Sequence, residues 1–199
     1  MSKNKRMMVK ELLNDTSVIK YNELRDLGVS SSQINHLVKD KVIERVSRGL
    51  YTSPNNFSDQ FFELQKKYKQ VIFSHETAAS LLDMNDVTLS KIVVTVPRNY
   101  NYQYLVKNVG LKVKRVSKER YDIGIVEIIS PFGNKIRVYD RERTICDLIS
   151  KRNKTEIRIL NESIRNYFSS KERNLNKLMK TAMIFKVDKD IRKYMEVLL

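Results

Sequence analysis

Between Ser30 and Lys39 the chain carries Ser32, Gln33, Asn35, His36 and Lys39, each with a group able to meet a base edge or a phosphate oxygen. Ile34, Leu37 and Val38 fall at i, i+3 and i+4, so in a helix they face a core. The opposite side then holds Ser32, His36 and Lys39, with Gln33, Asn35 and Asp40 on the flanks. Such a face suits readout of a duplex major groove. Ser30 and Ser31 stand at the helix N-terminus, where free amides attract phosphate. Arg45 and Arg48 follow, placed for the backbone or the minor groove. The competing reading of the same residues is a helical hairpin with a solvated face, followed by a ribbon used for packing.

Other reactive side chains point less clearly to chemistry. Ser74, His75 and Glu76 are consecutive at a helix start, so they project in different directions and form no proton relay in line. They read as an N-cap and first-turn polar residues. No phosphate-binding loop, dinucleotide fingerprint or H-E-x-x-H pattern occurs. Glu127 and Asp140 are the carboxylates a metal nuclease would use, but Lys and Arg surround them. Cys146 is the single cysteine, which rules out an intrachain disulfide and a Cys-rich zinc site; between Ile145 and Leu148 it reads as a small buried hydrophobe. With two histidines and no carboxylate cluster, no metal or cofactor is expected. Lys112, Lys114 and Lys118 recur on one side of a strand and just after it. Lys177, Lys180, Arg192 and Lys193 decorate the last helices. These are either solvated faces or phosphate contacts that neutralise charge without reading sequence.

The elements that must position the first group run from Lys20 to Thr52. Gly28 stands where a first helix stops, because a residue without Cβ takes the left-handed turn at little cost. Ser30 with Gln33 makes a capping box for the second helix. Val42, Ile43, Val46, Leu50 and Tyr51 then alternate around Arg48-Gly49, a hairpin with a basic tip. The order is that of a winged helix-turn-helix. A preceding helix over 4–14 brings Met7, Met8 and Leu12, with Val9 and Leu13, onto it. The polar stretch Ser53-Pro54-Asn55-Asn56 marks a linker, dividing the chain into 1–54 and 55–199.

In the second part a helix is expected from Phe57 to Tyr68, turning Phe61, Phe62 and Leu64 inward, and a second, capped by Ser74, packs through Ala78, Ala79, Leu81 and Leu82. Val71–Phe73 reads as a short extended piece. Strands follow at Ile92–Pro97, Leu111–Ser117, Ile125–Pro131 and Lys135–Asp140, the last two a hairpin across Phe132-Gly133-Asn134. Helices fill the remainder, at 140–150, Lys154–Phe168, Leu175–Phe185 and Asp188–Leu199. The fold class is α+β: a winged helix-turn-helix, then a mixed domain with a four-stranded sheet and a helical C-terminal third.

A formal charge of +15 over 199 residues points to an anionic partner. Residues 1–54 hold 10 basic and 6 acidic side chains, and residues 55–199 hold 28 and 17, so the second part is basic in its own right. The N-terminus lacks the apolar core of a signal peptide and no apolar run is long enough to span a bilayer, so the expected location is cytoplasmic, with no membrane partner.

LRDLGVSSSQINHLVKDKVIERVSRGLYT, ending in Gly49-Leu50-Tyr51, resembles the winged-helix domain of AbiEi-type antitoxins. FSHETAASLLDM and IRVYDRERTICDLI resemble two motifs of that family's second domain: a Ser/His helix with small residues, and a D-x-x-R-T-x-x-D-L segment made here by Asp140, Arg143, Thr144, Asp147 and Leu148. The resemblance implies a bicistronic toxin–antitoxin system of phage abortive infection, with no enzymatic activity in the antitoxin. It implies autorepression by binding inverted repeats in double-stranded DNA, and counteraction of a nucleotidyltransferase-like toxin by the C-terminal domain without a stable complex. Lys112, Lys114, Lys118, Asp140, Arg143 and Asp147 are the candidates for antitoxicity or phosphate contacts. Asp140 has its own physical rationale as an N-cap, and Arg143 with Asp147 as an i, i+4 pair; equally, the motif serves to dock a helix on the sheet. Inverted repeats imply two copies per operator, compatible with a monomer in solution. The alternatives are a nuclease or toxin-modifying enzyme using the basic domain, and an RNA-binding module.

Overall fold

The computed structural model describes residues 3–54, 58–88, 90–150 and 155–198. They fall into two compact units, one of Met1–Lys69 with Ile129–Ile136, the other of Gln70–Ile128 with Arg137–Leu199.

The first unit runs α1 (Lys3–Asp15), β1 (Val18–Lys20), α2 (Tyr21–Asp26), α3 (Ser31–Lys39), β2 (Glu44–Ser47), β3 (Leu50–Thr52) and α4 (Gln60–Lys67). Its core gathers Val9, Ile19, Leu24, Val29, Ile34, Leu37, Ile43 and Tyr51 from all but α4 and β2. Met7 and Met8 do not join it. They remain 55% and 44% exposed, because Val9 and Leu13, four residues apart, take the inward face of α1. Gly28 (φ +73°) ends α2 as its type requires. The Gly28 amide donates to the Arg25 carbonyl at 2.8 Å, and the Val29 amide to the Leu24 carbonyl at 3.1 Å. That turn drops Val29 into the core, fully buried, and aims the chain into α3.

The hairpin β2–β3 is joined by β1 in a three-stranded sheet of order β1-β3-β2. β1 lay below the reach of sequence periodicity, being three residues long; it is set by pairing Ile19 with Tyr51. Of the Ser53–Asn56 stretch, Asn55 and Asn56 lie outside the described residues, as does Phe57. α4 begins at Gln60, since the Asp59 carboxylate accepts the amides of Phe61 and Phe62 at 3.1 Å each. The other Asp59 oxygen accepts from Ser130 Oγ at 2.5 Å and Asn134 Nδ2 at 2.8 Å, and Asn134 also bonds Ser17. The turn at 129–136 thus belongs with the first unit.

The second unit contains β4 (Ile72–Phe73), α5 (His75–Leu81), β5 (Val93–Pro97), α6 (Gln103–Lys107), β6 (Lys112–Val116), α7 (Lys118–Tyr121), most of β7 (Ile125–Ile129) and of β8 (Lys135–Tyr139), α8 (Arg141–Ile149), α9 (Ile157–Ser169), α10 (Leu175–Phe185) and α11 (Asp188–Leu198). The sheet has five strands, not four, in the order β6-β5-β4-β8-β7. The added strand, β4, is central: it pairs antiparallel with β5 and parallel with β8. Two residues give no alternation to detect; both are fully buried, so neighbours on either side specify the strand. Lys154, expected at the start of a helix, lies outside the described residues, and α9 starts at Ile157. Every residue of α8 from Glu142 to Ile149 is buried, and the helix packs against α5, α9 and α10. Around it Ala79, Met84, Ile145, Cys146, Leu148, Tyr167, Leu178 and Ile191 make the larger core. Cys146 is an interior hydrophobe whose thiol pKa burial pushes up, as its apolar neighbours foretold.

Candidate functional site

α3 is nine residues long and has two unlike faces. Ile34 and Leu37 are buried, while Ser32, Asn35, His36 and Lys39 are exposed on the other side. The capping box is complete: the Gln33 amide donates to Ser30 Oγ at 3.2 Å, and the Ser30 amide to Gln33 Oε1 at 2.9 Å. This changes what Gln33 and Ser30 offer. Gln33 spends its carbonyl on the cap, and Ser30 its hydroxyl lone pair, so neither is as open as spacing alone implied. Ser31 Oγ lies 2.6 Å from the Tyr21 hydroxyl, which ties α3 to α2. Asp40, the acidic residue at the end of this face, is ion-paired with Arg6 at 3.7 Å. Arg45 and Arg48 are exposed on the hairpin, Arg45 opposite Tyr51, with the register shifting before Ser47. The structure therefore brings Ser32, Asn35, His36 and Lys39 to one surface with the basic hairpin following in the chain.

The second set of candidates separates. Lys112 is committed to Glu76 at 2.9 Å, Lys114 lines a cavity, and Lys118 is exposed at the head of α7. Asp140 caps α8 by accepting the Arg143 amide at 2.7 Å, and its other oxygen meets Lys177 at 2.9 Å. Arg143 is fully buried. Its Nε lies 3.1 Å from Asp147, its Nη1 donates to the carbonyls of Arg120 (2.6 Å) and Ile123 (3.1 Å), and its guanidinium carbon lies 4.0 Å from the ring centres of both Tyr139 and Phe185. Asp140, Arg143 and Asp147 hold the interior together; Arg143, without exposed surface, is out of reach of a partner.

Ser74 does not cap α5 with its side chain. Its hydroxyl instead accepts from Thr95 Oγ1 at 2.8 Å and lies 2.9 Å from His75 Nδ1, while Asp147 approaches the same nitrogen at 3.9 Å. A nucleophilic relay needs serine and carboxylate on opposite ring nitrogens. Here both sit at Nδ1, so the arrangement is not a relay.

Residues 7–54 match the model of a family described as transcriptional regulator, AbiEi antitoxin. The N-terminal segment is thus similar to the AbiEi antitoxin regulators. No curated protein matches the chain. The AbiEi match covers α1 to β3 and so contains α3 and its exposed face. Among the described residues no helix is long and apolar enough to cross a membrane.

Sequence reasoning missed His75 as part of a buried constellation, because its partner Asp147 comes from a helix far along the chain. Only the polar run at the start of α5 hinted at it. Burial lowers the His75 pKa from 6.5, outweighing Asp147 and Glu76, which raise it; Lys114 and Arg143 lower it further. The folded state thus holds His75 neutral, while the unfolded chain takes up a proton near pH 6.5. This contribution to stability is full above that pH and lost as pH falls below it. Urea denaturation at pH 7.5 and 5.5 should show a drop that His75→Gln reduces; an unchanged drop would falsify the assignment.

Proposed function

We propose that the protein is a sequence-specific repressor of its own toxin–antitoxin operon, binding inverted repeats in double-stranded DNA with two copies per operator. The observation that carries this reading is α3, where Ile34 and Leu37 are buried while Ser32, Asn35, His36 and Lys39 are exposed along one side. In the proposed complex α3 enters the major groove. His36 and Asn35 meet base edges, assisted by the amide of Gln33; Ser30 and Ser31 approach phosphate through the helix N-terminus; and the hairpin acts as a wing, with Arg45 and Arg48 on the backbone. Residues 1–54 are the DNA-binding part in this reading. Residues 55–199 counteract a nucleotidyltransferase-like toxin without a stable complex, in the cytoplasm. A single small module binding one half-site rarely reaches nanomolar affinity, which supports two copies on the operator and is compatible with a monomer when free. Among the second-part candidates, Lys118 is the one with an exposed position suited to a partner; Arg143 and Asp147 act from the interior.

His36→Ala should lower discrimination between operator and scrambled duplex by about 1–3 kcal/mol. Arg48→Ala should weaken both duplexes alike and reduce the slope of log affinity against log salt by about one. Fluorescence titrations at two salt concentrations read both quantities. Equal losses on the two duplexes for both variants would remove the groove-reading role from α3.

A further inference from the structure

A cavity of about 840 Å³ opens in the second unit. Arg98, Lys114, Arg115, Arg120 and Lys186 all line it, contributed by the end of β5, by β6, by α7 and by the residue after α10. Its carboxylates are Asp147 and Asp190, and the first of these is already matched by Arg143 at 3.1 Å. Positive charge is therefore in clear excess on a concave, partly desolvated wall, which concentrates field lines and draws anions. Burial and the neighbouring Lys112 both push the Lys114 pKa down, and a bound anion would reverse that pressure. Behind the wall, Arg143 Nη2 is buried without a hydrogen-bond acceptor among the described residues, while its guanidinium packs on Phe185, which itself lines the cavity.

The size and shape narrow the ligand. A duplex backbone needs an open groove or ridge, whereas this volume falls within the range of about 300–1,000 Å³ typical of small-molecule sites. Arginine forks match phosphate oxygens in bidentate fashion, and three of the five cations are arginines. Five cations exceed what one phosphate group would neutralise, and a volume of about 840 Å³ is larger than a phosphate group alone would fill. We propose that this cavity binds a small ligand bearing a di- or triphosphate, with a nucleoside triphosphate as its source. The site is built within the second unit and does not depend on the DNA-binding reading.

Calorimetric titration of the 199-residue chain, free of DNA, tests this with ATP, GTP, inorganic triphosphate and AMP as probes. ATP or GTP should bind saturably with one site per chain, AMP more weakly, and inorganic triphosphate should compete. Arg98→Glu and Lys186→Glu, both exposed positions on different elements, should each weaken binding at least about tenfold, the loss expected for a charge-assisted contact. Arg158→Glu, which changes net charge equally on the exposed side of α9, should leave it unaltered. The proposal is overturned if no probe gives a saturable signal at millimolar concentration, or if Arg158→Glu weakens binding as much as the cavity variants. Tighter binding of inorganic triphosphate than of either nucleotide would keep the phosphate cradle and overturn the nucleoside as its source.

Discussion

Arg143→Ala is expected to lower the free energy of unfolding by about 3–5 kcal/mol, the range for removing one partner of a buried ion pair. The reason lies in what the side chain leaves behind. Asp147 is 5% exposed, and without Arg143 its charge would lose the guanidinium at 3.1 Å while having little access to water. The carbonyls of Arg120 and Ile123 would lose their donor. The slot between Tyr139 and Phe185, filled by the guanidinium at 4.0 Å from each ring centre, would become a void. Arg143→Lys should recover little, because an ammonium cannot span two carbonyls and a carboxylate while lying flat between two rings. Urea unfolding monitored by circular dichroism measures both variants. A loss under about 1 kcal/mol for Arg143→Ala would show that the interior is not built around it.

Gly124→Ala is the second large effect, expected at roughly 2–4 kcal/mol, combining left-handed backbone strain with overpacking. Gly124 has φ +79°, and an added Cβ would meet Arg143 Cβ at 2.9 Å and Asp140 Oδ2 at 3.0 Å. Neither contact can retreat cheaply. Asp140 is held by its cap and by Lys177, and its amide donates to the Gly124 carbonyl at 2.7 Å. Gly133→Ala is the control, since it shares the positive φ (+85°) but has nothing within 4 Å of the new Cβ. It should show only the backbone part, about 1–2 kcal/mol. Equal losses at the two positions would mean that the approach to Arg143 and Asp140 is looser than described. Both experiments probe the same design: a cap, a buried arginine and a close glycine that together seat α8.

How much of this was legible beforehand depends on the distance over which each feature is specified. Gly28, the Ser30–Gln33 capping box and the Ile34/Leu37 face are local, set by backbone sterics and by donors and acceptors within one turn. The Asp140 cap was local too. By contrast, spacing showed Gln33 as a base reader, while its cap bond reduces it to an amide donor. Met7 and Met8 looked like core residues, since hydrophobicity alone does not say which of several apolar neighbours a helix will turn inward.

The sequence by itself determined the helix-turn-helix segment, the exposed polar side of α3, the helical C-terminal third and the pairing of Arg143 with Asp147 one turn apart. Tertiary structure alone decided the fifth strand, the approach of Ser74 and Asp147 to a single nitrogen of His75, and the gathering of Arg98, Lys114, Arg115, Arg120 and Lys186 around one cavity. The first group follows from periodicity and capping, which act over a few residues. The second depends on which elements the sheet and α8 bring side by side, and charges scattered along a chain carry no record of where folding will assemble them.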